Sequence, residues 1–333
     1  MANAKRITQH TQHVKRRSLL TLAALAGAAL IGVAFMPPRN LKPELPMMLS
    51  YSATPRFESE CEVFGQKVDL SRYDRHERFE RELTSMCYAH GNTLLTIKRA
   101  NRLFPVIVPI LREEGVPDDF IYLCCIESSL NTRALSPVKA AGLWQFMAET
   151  GKTYGLQIDT EVDERYNVER ATRAACSYFR KAYEKYGDWN TVAASYNAGQ
   201  NGLTRRLKDQ KQSTALDLLL PEETSRYMFR IMALKEIMRD PYRYGFVLYS
   251  DQLYRPIATT RVEVTSSIAD LTDWAARHGC SYYHLKEFNP WLRDKKLTVR
   301  SGRKYEILIP SPDDMTYDGQ PFPVYDSRWV IDK

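Results

Sequence analysis

Glu127 is the residue of this sequence whose type and surroundings best suit acid–base chemistry. It lies in the apolar stretch IYLCCIE, and on a helix its neighbours at i−4, i−3 and i+3 are Leu123, Cys124 and Leu130. Apolar surroundings disfavour the charged form of a carboxyl group, so its pKa rises. A glutamic acid that stays protonated near neutral pH can protonate a glycosidic oxygen as a general acid and, once ionised, can take a proton back.

The position of Glu127 alone leaves a simpler alternative open, in which the side chain reaches solvent from the end of a helix. Four ordered motifs favour chemistry. They are ES at 127–128 with SP at 136–137, GLWQFM at 142–147, SYNAG at 195–199, and ET with Tyr227 from position 223. Together they resemble the lytic transglycosylases with a goose-lysozyme-like fold (the SLT family), over about residues 60–245.

The resemblance implies roles for particular residues. Glu127 matches the single catalytic acid/base of the family. The residues that would line the substrate cleft are Ser136, Gln145, Met147, Tyr196, Asn197, Glu223 and Tyr227. The Tyr196 phenol would hydrogen-bond either the catalytic carboxyl group or an acetamido group of the sugar. Met147 also fits a core position at helical spacing, and for Trp144 we favour the core.

Two further pairs in the motifs fit structural roles. Gly142 and Gly199 are expected to serve backbone geometry. Asp163 and Arg165 lie where the family has a D.R element, which we interpret as a structural ion pair.

The reaction that the resemblance implies is cleavage of the β-1,4 bond between N-acetylmuramic acid (MurNAc) and N-acetylglucosamine (GlcNAc) in peptidoglycan. Glu127 would act as acid and then as base, with assistance from the acetamido group of the substrate, and the product would end in 1,6-anhydro-MurNAc. This route consumes no water and needs no cofactor. Two alternatives stay open: a muramidase that uses the same site with water, and a non-catalytic protein that binds peptidoglycan as a scaffold.

The elements that must hold these residues are mostly helices, so the predicted fold is mainly α, with a lysozyme-like helical catalytic domain over 61–245. Apolar residues at helical spacing predict two or more helices from Tyr73 to about Glu114, with breaks or first turns at Pro105 and Pro109. A long helix is predicted from about Val168 to Tyr186. Another is predicted to open at the sequence PEET, where a proline and acidic residues suit a first turn.

After residue 240 the sequence becomes richer in Tyr, Val, Thr and Ile. Residues 255–312 resemble a small α+β LysM module, with the order strand, helix, helix, strand and an Asn289 after the second helix. Such a module would bind GlcNAc-containing chains, or it would serve as a structural cap on the catalytic domain. Trp291 and Tyr282 would stack on sugar in the first case and fill the core in the second. Residues 313–333 are predicted to form an extended tail.

The N-terminal residues predict a membrane-associated, exported protein. Residues 1–17 are basic, and residues 18–36 contain no charge and would form a helix about 28 Å long, close to the thickness of a bilayer core. This segment is either a cleaved signal or a transmembrane anchor, and we favour the anchor with a cytoplasmic N-terminus. Residues 37–60, rich in proline and serine, would be a linker. The localisation expected is the cell envelope on the periplasmic side.

Composition excludes other classes of function. The chain has 333 residues, of which 44% are hydrophobic and 26% charged, so it should fold into a real core. Its net charge is +7, but five of these charges lie in the first 17 residues. The nearly neutral remainder argues against nucleic acid as a partner. The cysteines have no zinc-like spacing, so no metal site is predicted; Cys124 and Cys125 are expected to be buried thiols, and disulfide pairing stays open.

Overall fold

The computed structural model describes residues 53–332, and helices predominate there. The helices are α1 (Tyr73–Tyr88), α2 (His90–Glu113), α3 (Phe120–Ser128), α4 (Ala148–Thr153), α5 (Val168–Tyr186), α6 (Trp189–Ala198), α7 (Gln200–Asp209), α8 (Glu222–Arg239), α9 (Leu271–Arg277) and α10 (Tyr282–Phe288). The strands form two antiparallel pairs, β1 (Glu60–Val63) with β2 (Gln66–Asp69) and β3 (Thr259–Val264) with β4 (Tyr305–Pro310). The predicted mainly α class is confirmed.

Helix α5 has the bounds that the sequence predicts. The Asn167 side chain accepts a hydrogen bond from the backbone N–H of Arg170 at its start, and Gly187 ends it with a φ of 65°. The face that carries Ala171, Ala175 and Phe179 is fully buried. Local capping and tertiary burial therefore favour the same helix.

The prediction of breaks at Pro105 and Pro109 is wrong, because α2 continues through both residues. The two prolines lie four residues apart on the exposed side of the helix. Its opposite side buries Ile97, Ile107, Leu111 and other apolar residues. An interior proline costs about 3 kcal/mol, whereas each large apolar side chain that is buried contributes about 1.5–3 kcal/mol. Burial therefore keeps the helix continuous.

The apolar helix α3 runs through the core of the helical domain. Leu123, Cys124 and Cys125 are buried, which confirms the expectation of buried thiols. The helix ends abruptly because Ser129 and Leu130 both adopt left-handed φ values, 50° and 57°. Leu130 is also buried, with 1% of its surface exposed. This anchored turn fixes the last turn of α3.

The LysM-like region forms a second core that is shared with the helical domain. Its strands and helices bury Trp274, Leu285 and Trp291 together with Val162 and Tyr166 of the helical domain. Trp291 is only 3% exposed and stacks on another aromatic ring of the module. Of the two roles expected for Trp291, the structure therefore shows core packing. Tyr282 also packs partly buried against this core.

Backbone hydrogen bonds join the LysM-like region to residues 157–165. The Asp163 N–H donates to the Trp291 carbonyl at 2.9 Å, and the Arg293 N–H donates to the Glu161 carbonyl at 2.7 Å. Val162 pairs with Leu292 as an isolated antiparallel bridge. The module is thus bonded directly to the segment that follows the central motif.

The two ends of the described chain contain features that the sequence pattern missed. The β1–β2 hairpin starts at the end of the predicted linker. The predicted extended tail has two short 3-10 turns and folds back onto the helical domain. Its Trp329 is 3% exposed and donates a hydrogen bond to the Met238 carbonyl at 2.8 Å.

The predicted segments 1–17 and 18–36, and most of the linker 37–60, lie outside the described residues. Within residues 53–332, none of the helices combines the length and the apolar character that crossing a membrane requires.

Candidate active site

Glu127 lies in the last turn of α3, where its carboxylate accepts a hydrogen bond from the Tyr227 hydroxyl. Tyr227 belongs to α8 and is 3% exposed. A phenol can donate to only one acceptor, so Tyr227 holds the carboxyl group in a defined orientation. The two residues are 100 positions apart in the chain, and the packing of α8 against α3 brings them together.

Burial raises the pKa of Glu127 to about 7. The hydrogen bond from Tyr227 and the charge of Arg230 lower it, and the neighbouring charge of Glu223 raises it. Desolvation exceeds the stabilising contacts because a carboxylate loses most of its hydration among apolar side chains. A carboxyl group with a pKa near 7 can give up and regain a proton at neutral pH.

A tight loop over residues 133–147 follows α3 in the chain and contains the next two motifs. Ser136 closes a turn, since its hydroxyl accepts from the Ala140 N–H at 3.0 Å. Gln145 has a φ of 51° and its amide donates to the Gly142 carbonyl at 2.8 Å. Both side chains are partly buried, and these contacts hold the loop in shape.

Gly142 has the structural role that its motif position predicts. Its φ is 77°, and a Cβ at this position would lie 1.8 Å from the Arg165 carbonyl oxygen. Gly199 has a φ of 75° but faces open space. Glycine is therefore required at 142 by both conformation and space, and at 199 by conformation alone.

The predicted ion pair between Asp163 and Arg165 is present and buried, with a shortest distance of 2.7 Å. The same guanidinium donates to the backbone carbonyls of Lys139 and Phe146 at 2.9 and 3.0 Å. Arg165 therefore holds the loop at two points, its middle and its end. Since Asp163 also bonds to the LysM-like module, the module supports the loop through this pair.

Tyr196 does not make the contact with Glu127 that was one of its two expected roles. Its hydroxyl donates to the Trp144 carbonyl at 2.7 Å, and its ring packs against Phe146 and Tyr178. Trp144 is fully buried and its indole donates to the Thr172 hydroxyl at 2.9 Å, which confirms the core assignment. Tyr227 is the tyrosine that contacts the carboxyl group.

Asn197 contacts the first turn of α8. The Asn197 amide oxygen accepts from the Thr224 hydroxyl at 2.8 Å, and its amide nitrogen lies 3.4 Å from a carboxylate oxygen of Glu223. Glu223 is exposed. Met147, for which a core position was an alternative, is 47% exposed at the start of α4 and so belongs to the surface.

Arg230 is a charged neighbour of Glu127 that the sequence motifs did not single out. It lies three residues after Tyr227 on α8, so the two side chains share a helix face. That spacing was the signal available in the sequence. Within residues 53–332, no group of three or more His, Cys, Asp or Glu side chains could hold a metal ion. A site without metal or cofactor stays a prediction.

Comparison with protein families defines the class. Residues 106–218 match the family described as Transglycosylase SLT domain, and residues 260–313 match the Soluble lytic transglycosylase C-terminal LysM-like domain. The chain thus contains an SLT transglycosylase domain followed by a LysM-like domain, as its motifs predicted. Glu127 lies within the matched SLT residues, whereas Tyr227 lies beyond them.

Individual relatives agree with this assignment. The chain is 30% identical over 250 residues to Membrane-bound lytic murein transglycosylase D of Escherichia coli strain K12, and likewise to that of Escherichia coli O6:H1. These alignments cover 73% of this chain and 53% of the relative, so the chain spans about half the length of the curated relatives it matches. It is also 29% identical over 120 residues to the Putative tributyltin chloride resistance protein of Alteromonas sp. strain M-1, covering 36% of this chain and 58% of that protein.

Proposed function

We propose that this protein is a lytic murein transglycosylase, a lyase that cleaves the β-1,4 bond between MurNAc and GlcNAc in peptidoglycan. The observation that carries the proposal is the Glu127 carboxyl group, which burial tunes to a pKa of about 7 and which Tyr227 orients. The SLT domain and the homology to transglycosylase D support the same chemistry.

In the first step, protonated Glu127 donates its proton to the glycosidic oxygen as the bond to C1 of MurNAc breaks. The acetamido carbonyl oxygen of the same sugar stabilises the cationic carbon, so the protein needs no carboxylate nucleophile. The Tyr227 hydroxyl, already directed at the carboxyl group, stabilises the negative charge that forms on Glu127.

In the second step, the Glu127 carboxylate takes the proton from the 6-hydroxyl of MurNAc. The freed oxygen attacks C1, closes a 1,6-anhydro ring and regenerates the acetamido group. Glu127 is protonated again and no water is consumed. Because one residue gives and takes the proton, a pKa near the working pH serves both steps.

The other predicted site residues would bind the sugars around this carboxyl. Ser136 and Gln145 would line the cleft near the acetamido group of the sugar, and the Asn197 amide would donate a hydrogen bond to the sugar. Exposed Met147 would pack on a sugar face. The Tyr196 oxygen, whose proton is used by a backbone carbonyl, would act as an acceptor.

The observation that favours a muramidase instead is the second carboxylate, Glu223. Its charge raises the pKa of Glu127, which places it close enough to act on that group electrostatically. Inverting glycosidases use a second carboxylate as a general base that activates water. A Glu223→Gln variant that loses activity as fully as Glu127→Gln would favour this alternative.

We also propose that the protein acts in the cell envelope, on the periplasmic side, with residues 18–36 as its membrane anchor. Peptidoglycan strands are the proposed partner. The LysM-like module is proposed to act as a structural support of the catalytic loop, since its Trp291 is buried and its backbone bonds to Asp163.

Mass spectrometry of the fragments released from purified sacculi tests the function. Fragments ending in anhydro-MurNAc, lighter by one water and absent with Glu127→Gln, would support the transglycosylase. Reducing ends would identify a muramidase. Protein that binds sacculi without releasing fragments would identify a scaffold and refute both enzymatic functions.

A further inference from the structure

A cleft of about 450 Å³ lies beside the end of α3, between the α1–α2 junction and the first turns of α8. Ile126 and Ser129, which flank Glu127 in the chain, line it. Glu223 also lines the cleft, and its carboxylate contacts the Asn197 amide of the candidate active site. The cleft therefore adjoins the candidate active site, but it contains none of the residues that the motifs assigned to the loop over 133–147.

Most charged groups of this cleft are already paired. Buried Glu82 receives two hydrogen bonds from Arg226, at 2.8 and 3.0 Å, and one from Arg81 at 2.9 Å. Arg81 also bonds to Glu222 at 2.8 Å. These pairs neutralise one another, so they do not attract a charged ligand.

Arg230 differs from these residues. It lines the cleft and is partly buried, and within residues 53–332 its guanidinium has no hydrogen bond and no ion pair. The charge of Arg230 acts on Glu127, but its N–H groups donate to no group of the described residues. A guanidinium that is partly out of water with unbonded N–H groups favours an anion, and its planar fork suits a carboxylate best. The rest of the lining includes the neutral polar side chains of Ser85, Asn92 and Thr96, which suit amide groups.

We propose that this cleft binds the stem peptide of the substrate and that Arg230 binds one of its carboxylates. The inference rests on the proposed function. MurNAc carries its peptide on a lactyl group next to the bond that is cleaved, so a strand placed at Glu127 directs the peptide to a neighbouring cleft. The peptide supplies both the carboxylates that Arg230 lacks and the amides that the polar lining fits.

The test uses two substrates: glycan strands with their peptides, and the same strands stripped of peptides by an amidase. The variants are Arg230→Leu, Arg230→Lys and, as a matched control, Lys181→Leu, which removes an exposed cation from α5. The quantity compared is the ratio of kcat/KM on peptide-bearing strands to kcat/KM on stripped strands. Arg230→Leu should lower this ratio about 10- to 100-fold, as expected for a lost charge-assisted hydrogen bond. Arg230→Lys should restore part of it, and Lys181→Leu should leave it unchanged.

An unchanged ratio with Arg230→Leu would overturn the proposal. In particular, if Arg230 acted only on the pKa of Glu127, both substrates would be affected equally and the pH profiles would shift together. A second measurement separates this proposal from the proposed function. Binding of a peptide-bearing muropeptide to the Glu127→Gln chain should weaken about tenfold when Arg230→Leu is added, whatever the products of the wild type are. Equal binding with and without Arg230→Leu would refute the peptide site directly.

Discussion

Replacing Glu127 with glutamine should abolish activity and, at the same time, stabilise the fold at alkaline pH. The usual carboxyl pKa of 4.5 rises to about 7 in the folded chain because the charged form is desolvated. A raised carboxyl pKa means that the folded state holds the proton more tightly than the unfolded state. The fold therefore loses stability as the pH rises from about 4.5 through 7, and the loss is complete above 7.

The magnitude follows from the two pKa values. The full difference corresponds to about 3 kcal/mol, and about 2.5 kcal/mol of it develops between pH 5 and pH 8. Glutamine keeps the shape and an acceptor for Tyr227 but never ionises, so the variant escapes this loss. The advantage of Glu127→Gln over the wild type in free energy of unfolding should thus grow by about 2.5 kcal/mol across that range.

Urea unfolding at several pH values, followed by circular dichroism, measures this difference. Subtracting the two proteins removes the contributions of all other titrating groups. Glu184→Gln, at an exposed position of α5, is the matched control and should follow the wild type. A difference between Glu127→Gln and wild type that stays constant with pH would refute the claim that burial shifts this carboxyl group. Turnover in the same samples should fall at least about 100-fold.

Four other substitutions test the rest of the site. Tyr227→Phe removes a hydrogen bond that lowers the pKa of Glu127, so the alkaline limb of the rate profile, measured from pH 5 to 9, should move to higher pH. Gly142→Ala should lower the free energy of unfolding by more than about 2 kcal/mol in urea titrations, because strain and a backbone clash add. Gly199→Ala, whose Cβ meets no atom, should cost less, about 1–3 kcal/mol from backbone strain alone, in the same assay. Trp291→Ala should destabilise the protein by about 3–5 kcal/mol, measured by thermal or urea unfolding, because the indole fills a core.

Each of these expectations has a clear contrary outcome. An unmoved pH profile in Tyr227→Phe would show that the hydrogen bond does not act on the catalytic proton. Equal losses of unfolding free energy at the two glycines would show that the close approach of the Arg165 carbonyl to Gly142 adds no cost. A Trp291→Ala variant that folds normally but binds sacculi more weakly would show that Trp291 contacts glycan and is not needed for the core.

Local sequence determined much of what surrounds the catalytic carboxyl. The apolar neighbours of Glu127 predicted a raised pKa, and the structure gives the same direction from the same cause. Asn167 and Gly187 flank a strongly periodic stretch, and α5 begins and ends beside them. Such features are predictable because the interacting residues lie within one or two helical turns of each other.

Tertiary structure decided the features that depend on distant residues. The sequence suggested Tyr196 as a donor to Glu127, but the packing of α8 against α3 brings Tyr227 to the carboxyl group, while Tyr196 donates to a backbone carbonyl. The prolines of α2 would end an isolated helix, yet burial of the opposite face holds it together. The bond between Asp163 and Trp291 joins two regions whose sequences show no sign of each other. The chemical character of Glu127 follows from its neighbours in the sequence. Its hydrogen-bond partner depends on the packing of distant helices, whose burial free energies only the complete fold determines.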